Sequence, residues 1–216
     1  MAETLAAAPR FALASLAAAL ADFGAAPRDA GPLAMIVRRP RVDAREVLLE
    51  GVLDPRYGLV GDGWSGRRSS RTPDRSPHPD MQLTLMGARV IACVAGARER
   101  WPLAGDQLYV DLDLSEGNLP AGTRLRLGEA LLEITAQPHT GCRKFVDRFG
   151  ADALTLVNDR ERRPLRLRGV YARVLEGGRV RVGEVVEKVA VEASSPGRPS
   201  SLDGSGVSPA PLRAPG

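Results

Sequence analysis

From Leu33 to about residue 192 the apolar residues come in short β-rich runs, cut by glycine and proline. LAMIVRRP (33–40), EVLLEGVLD (46–54) and LYVDLDL (108–114) read as strands, as do VYARVL (170–175), RVRVG (179–183) and VVEKVAVE (185–192). Alternation of this kind buries one face of a pleated ribbon and leaves the other to water. RLRLGEALLEITA (124–136) reads as a hairpin turned at Gly128-Glu129, and Gly177-Gly178 turns one late strand onto the next. MQLTLMGARVIACVAG (81–96) fits a strand or a strand running into a helix, and FGADALTLVND (149–159) fits a helix. Many short strands with few helices predict a mainly β, α+β domain with a barrel-like core.

The two ends have a different character. FALASLAAALADF (11–23) has Leu13, Leu16 and Leu20 at helical spacing and predicts an amphipathic helix. A secretory signal peptide is the rival reading, but Glu3, Pro9 and a lone Arg10 make a poor basic start for one. The last 24 residues hold five Pro, six Ser and four Gly, with little to bury, and predict disorder. The expected organisation is therefore a helical extension over 1–30, one domain over 31–192 and a tail over 193–216.

Composition removes several function classes. Two His and two Cys are too few for a disulfide scaffold or a Cys/His zinc module. No run of eighteen apolar residues predicts a membrane span. Thirty basic residues stand against 26 acidic ones, and lysine occurs only at Lys144 and Lys188. Arginine forks onto oxyanions, so this surface suits a phosphate-bearing small molecule. Nucleic acid fits less well, because aromatics are 4% and there is no basic helix or stacking platform.

The chemistry concentrates in PHTGCRKF (138–145). Cys142 lies in a polar loop beside Arg143 and Lys144, with His139 upstream and Arg148 downstream. Positive charge favours the thiolate, the form that attacks sulfur or binds a soft metal. Cys93, inside VIACVAG, reads as a core filler, and an inert Cys142 is the bland alternative. His139 reads as a loop hydrogen bonder, and His78, between prolines, as exposed and idle. RLRG (166–169) is expected to place Arg166 and Arg168 on one side of a strand, and NLPAG (118–122) puts Asn118 before a proline turn. GLVGDGW (58–64) matches no nucleotide-binding loop.

In order and spacing, these segments resemble the MOSC domain family, named for the molybdenum-cofactor sulfurase C-terminal domain. The resemblance covers roughly residues 30–190, strongest at PHTGC with its following Lys-Phe and at NLPAGTRLRLGEA. It implies a predominantly β, barrel-like fold and maps the family's invariant cysteine onto Cys142. It further implies that Cys142 is either a ligand of the molybdenum or the carrier of a persulfide sulfur toward the molybdenum cofactor (molybdopterin). On that footing Asn118, His139 and Thr140 shape the pocket, Arg143 and Lys144 flank the thiol, and Arg168, Arg39 and Arg45 hold the pterin phosphate. A stand-alone cytoplasmic member, working with a separate electron-donor or sulfur-donor protein on a small N-hydroxylated substrate, is the expectation. A non-enzymatic cofactor carrier is the alternative.

Overall fold

The computed structural model describes residues 11–189. Helix α1 spans Leu16–Gly24, and strands β1 (Ala30–Arg38), β2 (Glu46–Leu48), β3 (Glu50–Asp54) and β4 (Gly58–Leu59) follow. Next come β5 (Leu83–Gly87), α2 (Ala88–Ala95), β6 (Leu108–Val110), β7 (Arg124–Leu127) and β8 (Ala130–Ile134). Helices α3 (Arg143–Phe149) and α4 (Ala151–Asn158) precede β9 (Val170–Glu176), β10 (Gly178–Arg181) and β11 (Val185–Val189).

Seven strands close a barrel in the order β1-β11-β7-β8-β9-β5-β6, with β6 returning to β1. A ring of antiparallel pairs alone needs an even number of strands, so a ring of seven must hold a parallel pair. That pair is β5–β6, and α2 lies in the crossover between them. A parallel pair with a helix over it is buried on both faces. Accordingly Leu83, Leu85, Leu108 and Val110 join the barrel interior, while Met86 and Tyr109 face the helical layer. The buried Tyr109 hydroxyl donates to the Trp101 carbonyl at 2.7 Å, which satisfies the polar atom this ring carries into the helical layer.

The interior draws apolar side chains from all seven strands, and β3, β4 and β10 add Leu53, Leu59 and Val180. Each fully buried aliphatic side chain contributes roughly 1.5–3 kcal/mol over leaving it exposed. On β1 the inward residues are Leu33 and Ile36, three apart rather than two. The register against β6 shifts between Leu33 and Met35, and such a bulge re-aims the side chains beyond it. Met35 and Val37 thereby face a second core built by α1, α2, α3, α4 and the 98–104 turn. Phe11, Ala19, Leu20 and Phe23 pack into that second core, so the predicted N-terminal helix is docked on the body. Among the described residues no helix is long and apolar enough to cross a membrane.

Several local expectations change. EVLLEGVLD is two strands, because Leu49 is exposed and the halves join different sheets. LYVDLDL pairs only through Val110; beyond it the Asp113 carboxylate accepts the Ser115 N–H and turns the chain, although Leu112 and Leu114 remain buried. His78 is not idle, since its Nδ1 accepts the Asp80 N–H at the start of a short turn. RLRG is not a strand. Arg163–Leu165 is a 3-10 turn, Arg166 has φ +49°, and β9 begins only at Val170. The predicted tail lies outside the described residues.

Candidate functional site

The hairpin β7–β8, turned at Gly128 with φ +53°, delivers the chain into the 135–142 loop. The Thr135 hydroxyl donates to the Asp80 carbonyl at 2.7 Å and anchors the loop's start. Its end is clamped by Asn158 of α4, whose Oδ1 accepts the Gly141 N–H at 2.8 Å while its Nδ2 donates to the Gly141 carbonyl at 3.1 Å. A Cβ at Gly141 would lie 2.6 Å from Leu154 Cδ1, so only glycine fits this approach without repacking. Cys142 follows as the residue capping α3, with its side chain exposed. Cys93 is half-buried rather than fully enclosed, and burial pushes its thiol above the ordinary value.

The same loop carries one member of a buried polar group. His139 packs its ring 4.5 Å from that of Tyr171, and its side chain is only 7% exposed. Burial, then the charges of Arg168 and Arg39, hold the imidazole well below its usual pKa, so it is neutral. Its Nε2 is 3.8 Å from Asp106 Oδ1, and among the described residues neither that oxygen nor His139 Nδ1 has a hydrogen-bond partner. The Asp106 carboxyl is fully enclosed, and burial raises it against the opposing pull of Arg168. Arg168 donates to Asp106 Oδ2 at 2.7 Å and to the Ala104 carbonyl at 3.0 Å, with its guanidinium 5.1 Å over the Phe145 ring. It therefore braces α3 and the loop from below.

The other expected anion-holders divide. Arg39 forks onto Asp62, with both nitrogens at 2.9 Å, and donates to the Gly105 carbonyl at 2.6 Å, so its guanidinium is committed within the fold. Among the described residues Arg45 donates only to the Pro102 and Ala44 carbonyls. Arg67, which the sequence reading passed over, has no carboxylate in ion-pair distance among the described residues. Burial and the charge of Arg39 push Arg67 down; burial and the charges of Arg148 and Arg39 push Arg45 down. Lys144 and Arg148 share the single carboxylate of Asp43, at 3.2 and 2.9 Å. These side chains form one cationic rim beside the cysteine loop, with more positive than negative charge. Arg143 is outside it, solvent-facing and paired with Asp147 one turn along α3.

Thr140 is exposed on the loop. Asn118 is not in this group. Its Nδ2 donates to the Arg28 and Asp113 carbonyls, and its Oδ1 accepts from Lys188. It holds the 113–119 segment to the barrel wall and has no contact with the cysteine loop among the bonds described. The residues the sequence reading missed are Asp106, Asn158, Tyr171, Asp43 and Arg67. None carries a local motif, because each lies at least 16 positions from Cys142 and meets the site only through the fold.

Fold and site together define a small β-barrel protein whose cysteine loop carries one exposed thiol, contributes His139 to a buried His–Asp–Arg group and adjoins a cationic rim. Residues 94–187, which contain Asp106, the cysteine loop and Arg168, match the family model of the MOSC domain. Among solved structures it is similar to the YuaD protein from Bacillus subtilis, with 18% identity over 74% of this chain and 95% of that one, at a TM-score of 0.50. A protein described as hypothetical is similar at 22% identity over 75% of this chain and 69% of that one, also with a TM-score of 0.50. YiiM from Escherichia coli reaches 22% identity over 75% of this chain and 70% of that one, with a TM-score of 0.48. At these identities the likeness shows the fold alone. No curated protein matches the chain.

Proposed function

We propose that this protein holds a molybdenum cofactor beside Cys142 and reduces N-hydroxylated substrates with electrons from a separate donor protein. The MOSC family's association with that cofactor motivates the reading. The observation that carries it is the juxtaposition of an exposed thiol with a rim of guanidinium groups that lower one another's basicity. Like charges gathered at a half-buried rim are unfavourable until an anion joins them. A pterin phosphate is such an anion, and a thiolate is a fitting soft ligand. Arg45, Arg67, Lys144 and Arg148 would hold the phosphate, and Cys142 would meet the metal. Arg39 and Arg168, engaged with Asp62 and Asp106, would set the field and the floor instead.

When bound, the cofactor supplies the two-electron redox centre. The net reaction adds two electrons and two protons to R–NH–OH and releases R–NH2 and water. His139, kept neutral by burial, and the enclosed Asp106 lie under the loop and give the site an unpaired acceptor and a proton-bearing ring. An exposed thiol serves a persulfide carrier equally well, and the same experiment separates the two. Protein from a cofactor-making host should retain about one molybdenum per chain, and Cys142→Ser should lose both the metal and hydroxylamine reduction. Wild-type protein free of molybdenum from that host would overturn the reading. A persulfide on Cys142 in metal-free protein would assign it to sulfur transfer.

A further inference from the structure

A cavity of about 350 Å3 lies against the cysteine loop, with His139 and Thr140 in its wall. Its charge is unbalanced. Arg160, Arg163 and Arg166 all line it, and among the described residues no carboxylate lies within ion-pair distance of any of them. Two acids share the wall. Asp159 is already engaged, accepting from Arg162 and from the Glu161 and Arg162 backbone N–H groups. Glu116 is exposed and acts on Arg166 only through space.

Arg166 is the informative member. It is half-buried, its side chain donates to the Leu119 carbonyl at 2.6 Å, and burial pushes its guanidinium down. Its backbone sits at φ +49°, a left-handed conformation that a non-glycine residue adopts at a cost. The Gly169 N–H, donating to the Arg166 carbonyl at 2.7 Å, fixes that conformation. Strain of this sort persists where the surroundings impose it, and it clusters at ligand sites. Leu167, Val157 and Val170 supply an apolar wall beside the guanidinium groups.

A planar guanidinium fork fits a carboxylate, and an apolar wall fits a short hydrocarbon or aryl body. We infer that this cavity binds a small organic carboxylate. Resting on the proposed function, the inference makes the substrate an N-hydroxylated compound that carries a carboxylate, held with its N–OH end toward the cysteine loop.

Calorimetric titration of the isolated full-length protein with benzoate and with benzamide tests the site without any cofactor. Benzoate should bind at least about tenfold more tightly than benzamide, and Arg166→Gln should remove that preference. The Arg163 side chain makes no hydrogen bond or ion pair among the described residues and its backbone bonds survive substitution, so Arg163→Gln keeps the structure and should weaken benzoate about threefold. In cofactor-bearing protein, Arg166→Gln should raise KM for 4-carboxyphenylhydroxylamine about tenfold and leave N-phenylhydroxylamine unchanged. Equal binding of benzoate and benzamide, or wild-type benzoate affinity in both variants, overturns the carboxylate site. Benzoate bound through Arg166 in a protein that never retains molybdenum overturns the proposed reaction and leaves the carboxylate site standing.

Discussion

At the scale of single residues, the site is a contrast between exposed and enclosed groups of the same kind. Cys142 is open to solvent, while Cys93 is half-buried with its thiol pushed up by burial and by the nearby Asp22 charge. The thiolate is the reactive form, so alkylation of native protein at neutral pH should label Cys142 first, at a rate about tenfold or more above Cys93. Peptide mapping after a timed iodoacetamide pulse checks this, and early label on Cys93 contradicts it. Arg168 and Asp106 form a pair whose side chains are 8% and 0% exposed. Arg168→Leu leaves a buried carboxylate without its cation and should cost about 3–5 kcal/mol of stability. Denaturant unfolding of the variant measures it. His139 adds a pH dependence. Its folded pKa is depressed, so below the ordinary value of 6.5 the unfolded chain takes up a proton that the folded one refuses. The stability it contributes is complete above that value and is lost as pH falls, by up to roughly 1.4 kcal/mol per unit. Asp106, raised by burial, acts in the opposite direction at lower pH. His139→Gln should therefore flatten the stability curve between about pH 6.5 and 5, as read by denaturant midpoints across that range.

Among the elements, α3 and α4 decide where the thiol is. Phe145 and Phe149, one turn apart, bury their rings 4.9 Å from each other and fix the rotation of α3 about its axis. Asn158 at the end of α4 then pins Gly141, one residue before the cysteine. Asn158→Ala removes both bonds from a partly solvated loop and should cost about 1–2 kcal/mol. The same change should speed hydrogen exchange at the Gly141 amide well beyond what the global loss of stability explains. Exchange monitored at that amide tests the clamp, and unchanged protection would show that the loop is held by other means. The hairpin at Gly128-Glu129 and the helix at 151–158 were legible, because periodicity and turn residues act within a few positions; Gly177-Gly178 makes no hairpin, since β9 stays in the barrel while β10 pairs with β3. The start of α3 inside PHTGCRKF was not legible. Its seven residues carry three apolar side chains, Phe145, Val146 and Phe149, over barely two turns, too little pattern to distinguish a short helix from a loop.

For the molecule as a whole, closure of the barrel rests on β11, which pairs with β1 on one side and β7 on the other. A chain ending after Glu192 keeps every described pairing and should melt within about 2 °C of the full chain. A chain ending at Gly183 opens the barrel between β1 and β7 and should not fold cooperatively. Thermal melts followed by circular dichroism compare them, and a large loss in the longer truncation would show that residues beyond 192 stabilise the body. The sequence by itself determined the strand-rich class, the N-terminal helix and the polar, exposed setting of Cys142, since alternation, composition and a contiguous motif are all written along the chain. It did not determine which arginines were free. Arg39 and Arg45 look alike in sequence, yet one is forked onto Asp62 and the other, among the described residues, donates only to carbonyls. Arg166 and Arg168, two positions apart, point to Leu119 and to Asp106. A charge is available to a ligand only if no partner inside the fold has taken it, and those partners come from distant segments that only the closed barrel brings together.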